Sequence, residues 1–142
     1  MATVEELART SLERFNTADW EGMRSEIGPD FVYDEAGTGR RITDADGLIA
    51  ALQQWKAGLP DAAGTLERMI VDGDTVAMEV VWRATHTGTL ATPGGELPPT
   101  GRTIEVWATI WQVWHDGRMA SERHHIDLLS MLAQLGAIPV AA

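Results

Sequence analysis

The chain of 142 residues contains no cysteine. Disulfide bonds, thiolate nucleophiles and cysteine-ligated zinc or iron–sulfur centres are therefore excluded. Any acid/base chemistry depends on carboxylates, histidines, a few hydroxyl groups and the single tyrosine, Tyr33.

Positive charge is also scarce. Eleven Lys and Arg residues oppose 21 Asp and Glu residues, which gives a formal net charge of −10. The basic residues are scattered singly or in pairs, whereas nucleic-acid-binding domains gather them into a patch that neutralises phosphates. The composition therefore argues against a nucleic-acid partner.

Long apolar runs are missing as well. No run approaches the roughly 20 residues that cross a bilayer, and the N-terminal stretch MATVEELART lacks the basic-then-apolar order of a secretory signal. We therefore expect a cytoplasmic protein without membrane contact. The length fits one domain, residues 1–142, with its own hydrophobic core.

The first half of the chain is predicted to be mostly helical. Apolar residues recur at helical spacing through TVEELARTSLERF, where Thr3 and Glu6 form the pattern of a capping box. A short second helix is expected to end at Gly28 and Pro29, before a strand with the sequence FVYDEA. A third helix begins at Thr43 and ends at GLPDAAG.

The second half has the period of strands. Two pairs of β-rich runs are joined at Asp72-Gly73 and Asp116-Gly117, dipeptides that favour hairpin turns. Between the pairs, residues 89–100 are too rich in Gly and Pro for a central strand, and we expect a mobile lid there. Four long strands and a C-terminal helix complete an α+β fold, with an antiparallel sheet that curls into a cone.

Six tryptophans are unusual in a chain with only two phenylalanines. Their large apolar side chains suit a core, a subunit interface or the wall of a pocket for a flat apolar ligand. Trp107 and Trp111 share one strand face and Trp114 lies on the other, so the three cannot all line one pocket. The candidate substrate contacts are Trp20, Trp55, Trp82, Trp107 and Trp111.

Four stretches in order carry a family resemblance: FNTADWEGMRSEIGPDFVYDEAGTGRRI, ATHTGTL, GELPPTGRTIEVW and HDGRMASERHHIDLLSMLAQLG. Together they cover nearly the whole chain, which resembles the SnoaL-like polyketide cyclases of the nuclear transport factor 2-like superfamily. The resemblance implies a cystatin-like barrel, a curved antiparallel sheet wrapped around N-terminal helices, with a deep cone-shaped pocket. This superfamily hosts cyclases, isomerases, dehydratases, epoxide hydrolases and binding modules, so the fold alone does not determine the reaction.

In such family members an aspartate at the end of the last long strand is the general acid/base, and Asp127 occupies that place here. Burial among tryptophans and leucines would raise the pKa of this carboxyl. Asp127 is equally suited to cap the helix LLSMLAQLG, and the start of a helix lowers the pKa of a carboxyl. The direction of the shift therefore stays open.

The two histidines beside Asp127 point to opposite faces of a regular strand. Parity with Asp127 favours His125, together with Arg123, as the pocket residue, unless a bulge reverses the faces. Glu122 and His124 share the opposite face, and Glu122 is a further candidate substrate contact.

Two more residues are candidates for polar contact with a substrate. His86 lies where a strand reaches the Pro-rich segment, the expected mouth of the pocket, and is a candidate proton donor or oxygen binder. Tyr33 is suited to donate a hydrogen bond to a carbonyl oxygen. Adjacent histidines cannot easily chelate one ion and no HExxH spacing occurs, so we expect neither a metal nor a cofactor.

The leading hypothesis is a cofactor-independent enzyme that uses general acid/base catalysis on a small apolar or aromatic substrate, as in aldol-type cyclisation of a polyketide. The candidate catalytic residues are Asp127, His125, His124 and His86. Epoxide hydrolysis, dehydration or isomerisation in the same pocket, or non-catalytic binding of a small molecule, are the alternatives. We also expect a homodimer or higher homo-oligomer, because the outer face of an open sheet needs a cover.

Overall fold

The computed structural model describes residues 1–139. The capping box at Thr3 is formed: the Glu6 amide donates to Thr3 Oγ1 and the Thr3 amide to Glu6 Oε2. Within this part of the chain no helix is long and apolar enough to cross a membrane. The helices are α1 (Val4–Asn16), α2 (Trp20–Glu26), α3 (Ala45–Gly58) and α4 (Leu128–Gln134).

Six strands form a curved sheet in the order β2-β1-β8-β7-β4-β3. The predicted α+β class and the four long strands are confirmed. One pair departs from the prediction: β1 and β8 run parallel, whereas all other neighbours in this sheet are antiparallel. The strands are β1 (Ile27–Ala36), β2 (Arg40–Ile42), β3 (Ala63–Asp72), β4 (Thr75–Thr85), β5 (Leu90–Thr92), β6 (Gly95–Leu97), β7 (Thr103–His115) and β8 (Arg118–Ile126).

Both predicted hairpins are present. The β7–β8 turn consists of Asp116 and Gly117, both with positive φ (52° and 78°), as the tight turns that match strand twist require. The β3–β4 turn consists of Gly73 and Asp74, because Asp72 still pairs with Thr75. The first turn thus lies one residue later than predicted.

The start of β1 was not predicted. Helix α2 ends at Glu26, and Gly28 and Pro29 belong to the strand rather than to a helix stop. Ile27 is buried and pairs with Met119 of β8, after which the register is irregular up to Val32. An irregular stretch tolerates a residue without an N–H, which explains how a proline fits here.

The core lies between the inner face of the sheet and helices α1 to α3. Alternate residues of the strands point inward, as the two-residue period of a strand requires. On β7 the inward positions run from Ile104 to Trp114, while Trp107 and Trp111 on the outer face are 50% and 48% exposed. One face of the sheet therefore holds the core and the other is open.

The predicted Gly/Pro-rich loop contains the two-stranded β5–β6 hairpin. It lies against the end of α3, where the Gly88 amide donates to the Gly58 carbonyl at 3.1 Å and Leu90 is fully buried. A Cβ on Gly88 would lie 1.9 Å from the Ala57 carbonyl oxygen, so only glycine allows this approach.

We predict that Gly88→Ala lowers the free energy of unfolding by about 1 to 3 kcal/mol, because the added methyl group forces the hairpin away from α3. Gly94→Ala is the matched control, since its Cβ would meet only Thr92 Oγ1, at 3.9 Å, and the change should stay within about 0.5 kcal/mol. Urea denaturation measures both. Equal losses in the two variants would contradict the close contact.

Candidate active site

A cavity of about 300 Å³ lies between the inner face of the sheet, helices α1 and α3, and the β5–β6 hairpin. Most of its lining is apolar. Leu12, Met78 and Ile110 contribute aliphatic and thioether groups, while Phe15, Trp55 and Trp82 contribute aromatic rings. The volume and the lining suit a small, largely apolar ligand.

The three aromatic rings form one continuous wall. The ring centroids of Phe15 and Trp82 are 5.1 Å apart, those of Trp55 and Trp82 5.3 Å, and those of Phe15 and Trp55 5.9 Å. Two of these pairs pack edge to face, a favourable arrangement of aromatic quadrupoles. The wall is therefore fixed by its own packing and offers an apolar surface for a ring system.

Glu122 is an acidic residue deep in this cavity. It lies on β8 opposite Gln112 of β7, whose Nε2 donates to Glu122 Oε1 at 2.6 Å. Among the residues described, no other group donates a hydrogen bond to the Glu122 carboxyl. Its second oxygen is therefore available to a ligand.

Burial raises the pKa of Glu122 to about 7. The hydrogen bond from Gln112 acts in the opposite direction, and the negative charge of Glu26 adds to the increase. Near neutral pH both protonation states are thus populated, which is the condition under which one carboxyl can both take and return a proton.

Glu26 lies behind the cavity wall. Its carboxyl is buried and accepts hydrogen bonds from Ser11 Oγ at 2.8 Å and from Arg14 Nη1 at 2.7 Å. Burial raises its pKa against the lowering effect of these two donors. Ser11 also lines the cavity, so it connects the cavity surface with this buried ion pair.

His124 is the second titratable group of β8 that lines the cavity. Trp82 Nε1 donates to His124 Nε2 at 3.2 Å, so the neutral ring carries its proton on Nδ1. Nδ1 lies 3.4 Å from Tyr33 Oη. Burial lowers the pKa of His124 to about 4, and the ring is therefore neutral at physiological pH.

Tyr33 and Glu35 continue this chain of hydrogen bonds on β1. Tyr33 Oη donates to Glu35 Oε2 at 2.7 Å, and Glu35 also accepts from Thr38 and Arg40. Burial disfavours the Glu35 carboxylate, but these donors outweigh burial and lower the pKa of Glu35. Burial and the nearby carboxylates raise the pKa of Tyr33, so the phenol stays neutral.

Five of the residues proposed from the sequence line the cavity: Tyr33, Trp55, Trp82, Glu122 and His124. Gln112, Ser11 and Glu35 line it too but were not proposed. Gln112 carried a readable signal, because a glutamine between Ile110 and Trp114 on an inward strand face must have a buried partner.

Asp127 and His125 lie outside the cavity, so their expected placement is wrong. Strand β8 ends at Ile126, and the side chains that alternate inward are Glu122, His124 and Ile126. Asp127 is exposed and caps α4, accepting hydrogen bonds from the amide and hydroxyl of Ser130, which lower its pKa. His125 is exposed, like Arg123. The catalytic roles of Asp127 and His125 therefore remain predictions, without the expected contact with the cavity.

His86 also lies away from the cavity lining. Its ring is fully buried, and Nδ1 accepts the Thr100 amide at 3.2 Å and lies 2.9 Å from Thr100 Oγ1. It therefore anchors the segment that follows the β5–β6 hairpin. Trp20 packs edge-on against Phe15 outside the cavity lining, and Trp107 and Trp111 lie on the outer face of the sheet.

Among residues 1–139, no group of three or more His, Asp or Glu side chains is arranged to hold a metal ion. In the cavity, Tyr33 donates a hydrogen bond to Glu35, Trp82 donates one to His124, and Gln112 donates one to Glu122.

The raised pKa of Glu122 predicts a pH dependence of stability. The folded chain retains a proton that the unfolded chain releases, so this contribution is present below about pH 4.5 and lost as pH rises through about 7. Between about pH 5 and about pH 8.5 the free energy of unfolding of the parent, measured by urea denaturation, should fall by roughly 2 to 3 kcal/mol relative to that of Glu122→Gln. His124, whose pKa is lowered, adds a change of opposite sign in both proteins, so the comparison isolates Glu122. The same pH dependence in the two proteins would refute the buried carboxyl.

Comparison with known proteins agrees with the fold. No curated protein matches the chain. IdmH, a candidate polyketide cyclase from Streptomyces antibioticus, is 31% identical with a TM-score of 0.82, over 95% of this chain and 99% of that one. AclR, a candidate hydroxylase from Streptomyces galilaeus, is 20% identical with a TM-score of 0.84, over 98% and 84% of the two chains.

A third solved structure shares the fold. This protein from Catenulispora acidiphila has a ketosteroid isomerase-like fold and was solved with trimethylamine; it is 17% identical, with a TM-score of 0.79 over 96% of each chain. The family model for SnoaL-like polyketide cyclases matches residues 5–135, which is most of the chain. The resemblance noted in the sequence is thereby confirmed, and the chain belongs to the SnoaL-like polyketide cyclase family.

Proposed function

We propose that the chain is a cofactor-independent enzyme that transfers protons on an apolar cyclic carbonyl compound, with Glu122 as general acid/base. One observation carries this proposal: Glu122 lines an apolar cavity, desolvation there raises its pKa to about 7, and one of its oxygens accepts no hydrogen bond from residues 1–139. A pKa near the working pH lets one group remove and return a proton efficiently.

An aldol-type ring closure illustrates the proton balance. The Glu122 carboxylate removes a proton from the carbon beside a carbonyl group, and the resulting enolate carbon bonds to a second carbonyl carbon of the same molecule. The oxygen of that second carbonyl becomes an alkoxide and takes the proton back from Glu122. The step needs no cofactor, and the name of the relative IdmH, a candidate polyketide cyclase, supports a substrate of this class.

Tyr33 supplies the second role in this proposal. Its neutral hydroxyl lies between His124 and Glu35, and turning from Glu35 to a substrate oxygen would let it stabilise the developing negative charge. The rings of Phe15, Trp55 and Trp82 would hold the flat body of the substrate. The same carboxyl would also serve isomerisation, dehydration or attack of water on an epoxide, which are the alternative reactions.

The test uses β-tetralone, a bicyclic ketone with acidic protons beside its carbonyl group. We expect the protein to accelerate exchange of these protons in deuterium oxide, measured by NMR, with a rate that increases as pH rises through about 7. Glu122→Gln should lower this rate by roughly 10² to 10⁴, the contribution of a positioned acid or base. It should fold, since a glutamine at this position can still accept the hydrogen bond from Gln112.

Asp127→Asn is the matched control, because it also replaces a carboxyl by an amide and Asn caps a helix as well as Asp. It should leave the exchange rate unchanged. If only Asp127→Asn lowers the exchange rate, Asp127 rather than Glu122 is the acid/base. Binding of β-tetralone without accelerated exchange would favour a non-catalytic binding protein.

We further propose that the outer face of the sheet pairs with a second copy of the chain. Trp107 and Trp111 are half exposed there, and Ile70, in the same cross-strand row as Trp111, is 63% exposed. Although the chain has a net charge of −10, this face carries both signs. The charged residues on it include Arg68, Glu79, Arg83, Glu105 and Arg123. A two-fold axis can therefore pair apolar with apolar and acidic with basic groups.

Light scattering should then give about twice the 15.5 kDa of one chain. A double variant, Trp107→Glu with Trp111→Glu, should be monomeric because two buried carboxylates would face one another across the interface. Leu129→Glu is the control: Leu129 is 71% exposed but belongs to α4, outside the strands of the sheet. A parent that is monomeric at micromolar concentration would refute the dimer.

A further inference from the structure

The side-chain amide of Gln112 has only one possible orientation. Gln112 is 2% exposed and lies between Trp114 and Glu122 on the inner face of the sheet. An indole N–H can only donate. Trp114 Nε1 lies 3.0 Å from Gln112 Oε1, so the amide oxygen faces the indole and the amide nitrogen faces Glu122.

This orientation matters for the chemistry of Glu122. An amide N–H donates to a carboxylate and therefore stabilises the ionised form. A reversed amide would offer its oxygen instead, accept a hydrogen bond from the protonated carboxyl and stabilise the acid. The indole N–H of Trp114 thus decides which form of Glu122 the glutamine supports.

Trp114 is not part of the cavity wall. Its side chain is buried and does not line the cavity. The register between β7 and β8 is irregular at Val113 and Trp114, and the Trp114 amide donates to the Asp74 carbonyl at 2.9 Å. The indole is therefore positioned by the β3–β4 turn and by core packing.

We propose that Trp114 is a positioning residue for the acid/base Glu122: through Gln112, its indole N–H holds the Glu122 carboxyl in the form that accepts a proton from the substrate. The inference rests on the proposed function of Glu122. It adds a residue of the core, without substrate contact, to the machinery of the site.

Other groups around Glu122 also affect its titration. Glu26 on α2 is nearby and paired with Arg14 on α1, while Tyr33 on β1 and His124 on β8 line the same cavity. Glu35 and Arg40 lie beyond Tyr33. None of these groups bonds to Trp114 in the part of the chain described, so the loss of the indole N–H acts on Glu122 through Gln112.

The first experiment is Trp114→Phe, which keeps an aromatic ring and removes the donor. In protein labelled with ¹³C at glutamate carboxyls, the Glu122 signal is identified by its loss in Glu122→Gln. Its titration midpoint should rise by about one pH unit in Trp114→Phe, because the amide is free to turn. Trp107→Phe, on the same strand but the outer face, should leave the midpoint unchanged.

A double-mutant cycle tests whether Gln112 transmits the effect. Gln112→Leu alone should also raise the Glu122 midpoint, and adding Trp114→Phe to it should change the midpoint no further. A full additional shift in the double variant, or no shift in Trp114→Phe when Gln112→Leu does shift, would overturn the inference.

The parent protein provides a test that requires no core variant to fold. As Glu122 titrates, the side-chain amide protons of Gln112 and the indole proton of Trp114 should shift with the same midpoint. An indole signal that does not shift as Glu122 titrates would overturn the proposal. These titrations use no substrate, so they test the positioning separately from catalysis. If the Glu122 midpoint shifts but the pH profile of β-tetralone exchange does not, Glu122 is not the catalytic acid/base, while its positioning by Trp114 stands.

Discussion

The hydrogen bond between Gln112 and Glu122 is the interaction on which the candidate site depends. It joins two neighbouring strands, β7 and β8, on the face of the sheet that otherwise carries the apolar core. A carboxyl in such surroundings is costly unless it is hydrogen-bonded or protonated. Glu122 meets both conditions in part: the hydrogen bond from Gln112 stabilises the carboxylate, while burial stabilises the protonated acid. This balance keeps both protonation states of the carboxyl accessible near neutral pH, as the proposed acid/base role requires.

The remaining polar groups of the cavity do not share the proposed acid/base role of Glu122. Trp82, His124, Tyr33 and Glu35 form one directed series of donors and acceptors that ends at a carboxylate paired with Arg40. His124 is neutral and Glu35 is ionised, each because of its neighbours and burial. Two carboxyls in one cavity thus have pKa values moved in opposite directions, the pattern that separates acid/base roles in enzymes.

The sequence predicted the fold well because the fold depends on short-range signals. Helical spacing and the Thr3 cap marked α1, and Gly in two-residue turns marked both hairpins. The parallel pairing of β1 with β8 depends on contacts between distant segments, and no local pattern encodes it.

The site was predicted only in part, for a related reason. Glu122 and His124, which line the cavity, were among the candidates, but the sequence placed them on the strand face opposite the favoured pocket residue His125. The assignment counted parity from Asp127, whose side chain turns to Ser130 as a helix cap instead of following the strand. One residue beyond the end of a strand no longer obeys its alternation. Gln112 of β7 does pair with Glu122, but the irregular register at Val113 and Trp114 moves this pairing by one residue from that of a regular hairpin, and the sequence does not reveal the irregularity.

The parallel pairing of β1 with β8 also constrains how the cavity can diversify. Tyr33 aligns with Glu122 and Glu35 with His124, so inserting or deleting one residue in either strand would separate both pairs and turn side chains to the opposite face. The β5–β6 hairpin supplies Ala91, Thr92 and Pro93 to the lining and tolerates changes in length, as surface hairpins do. Under the proposed function, larger or smaller ring systems should therefore be accommodated by lengthening or trimming this hairpin, while β1 and β8 keep their register.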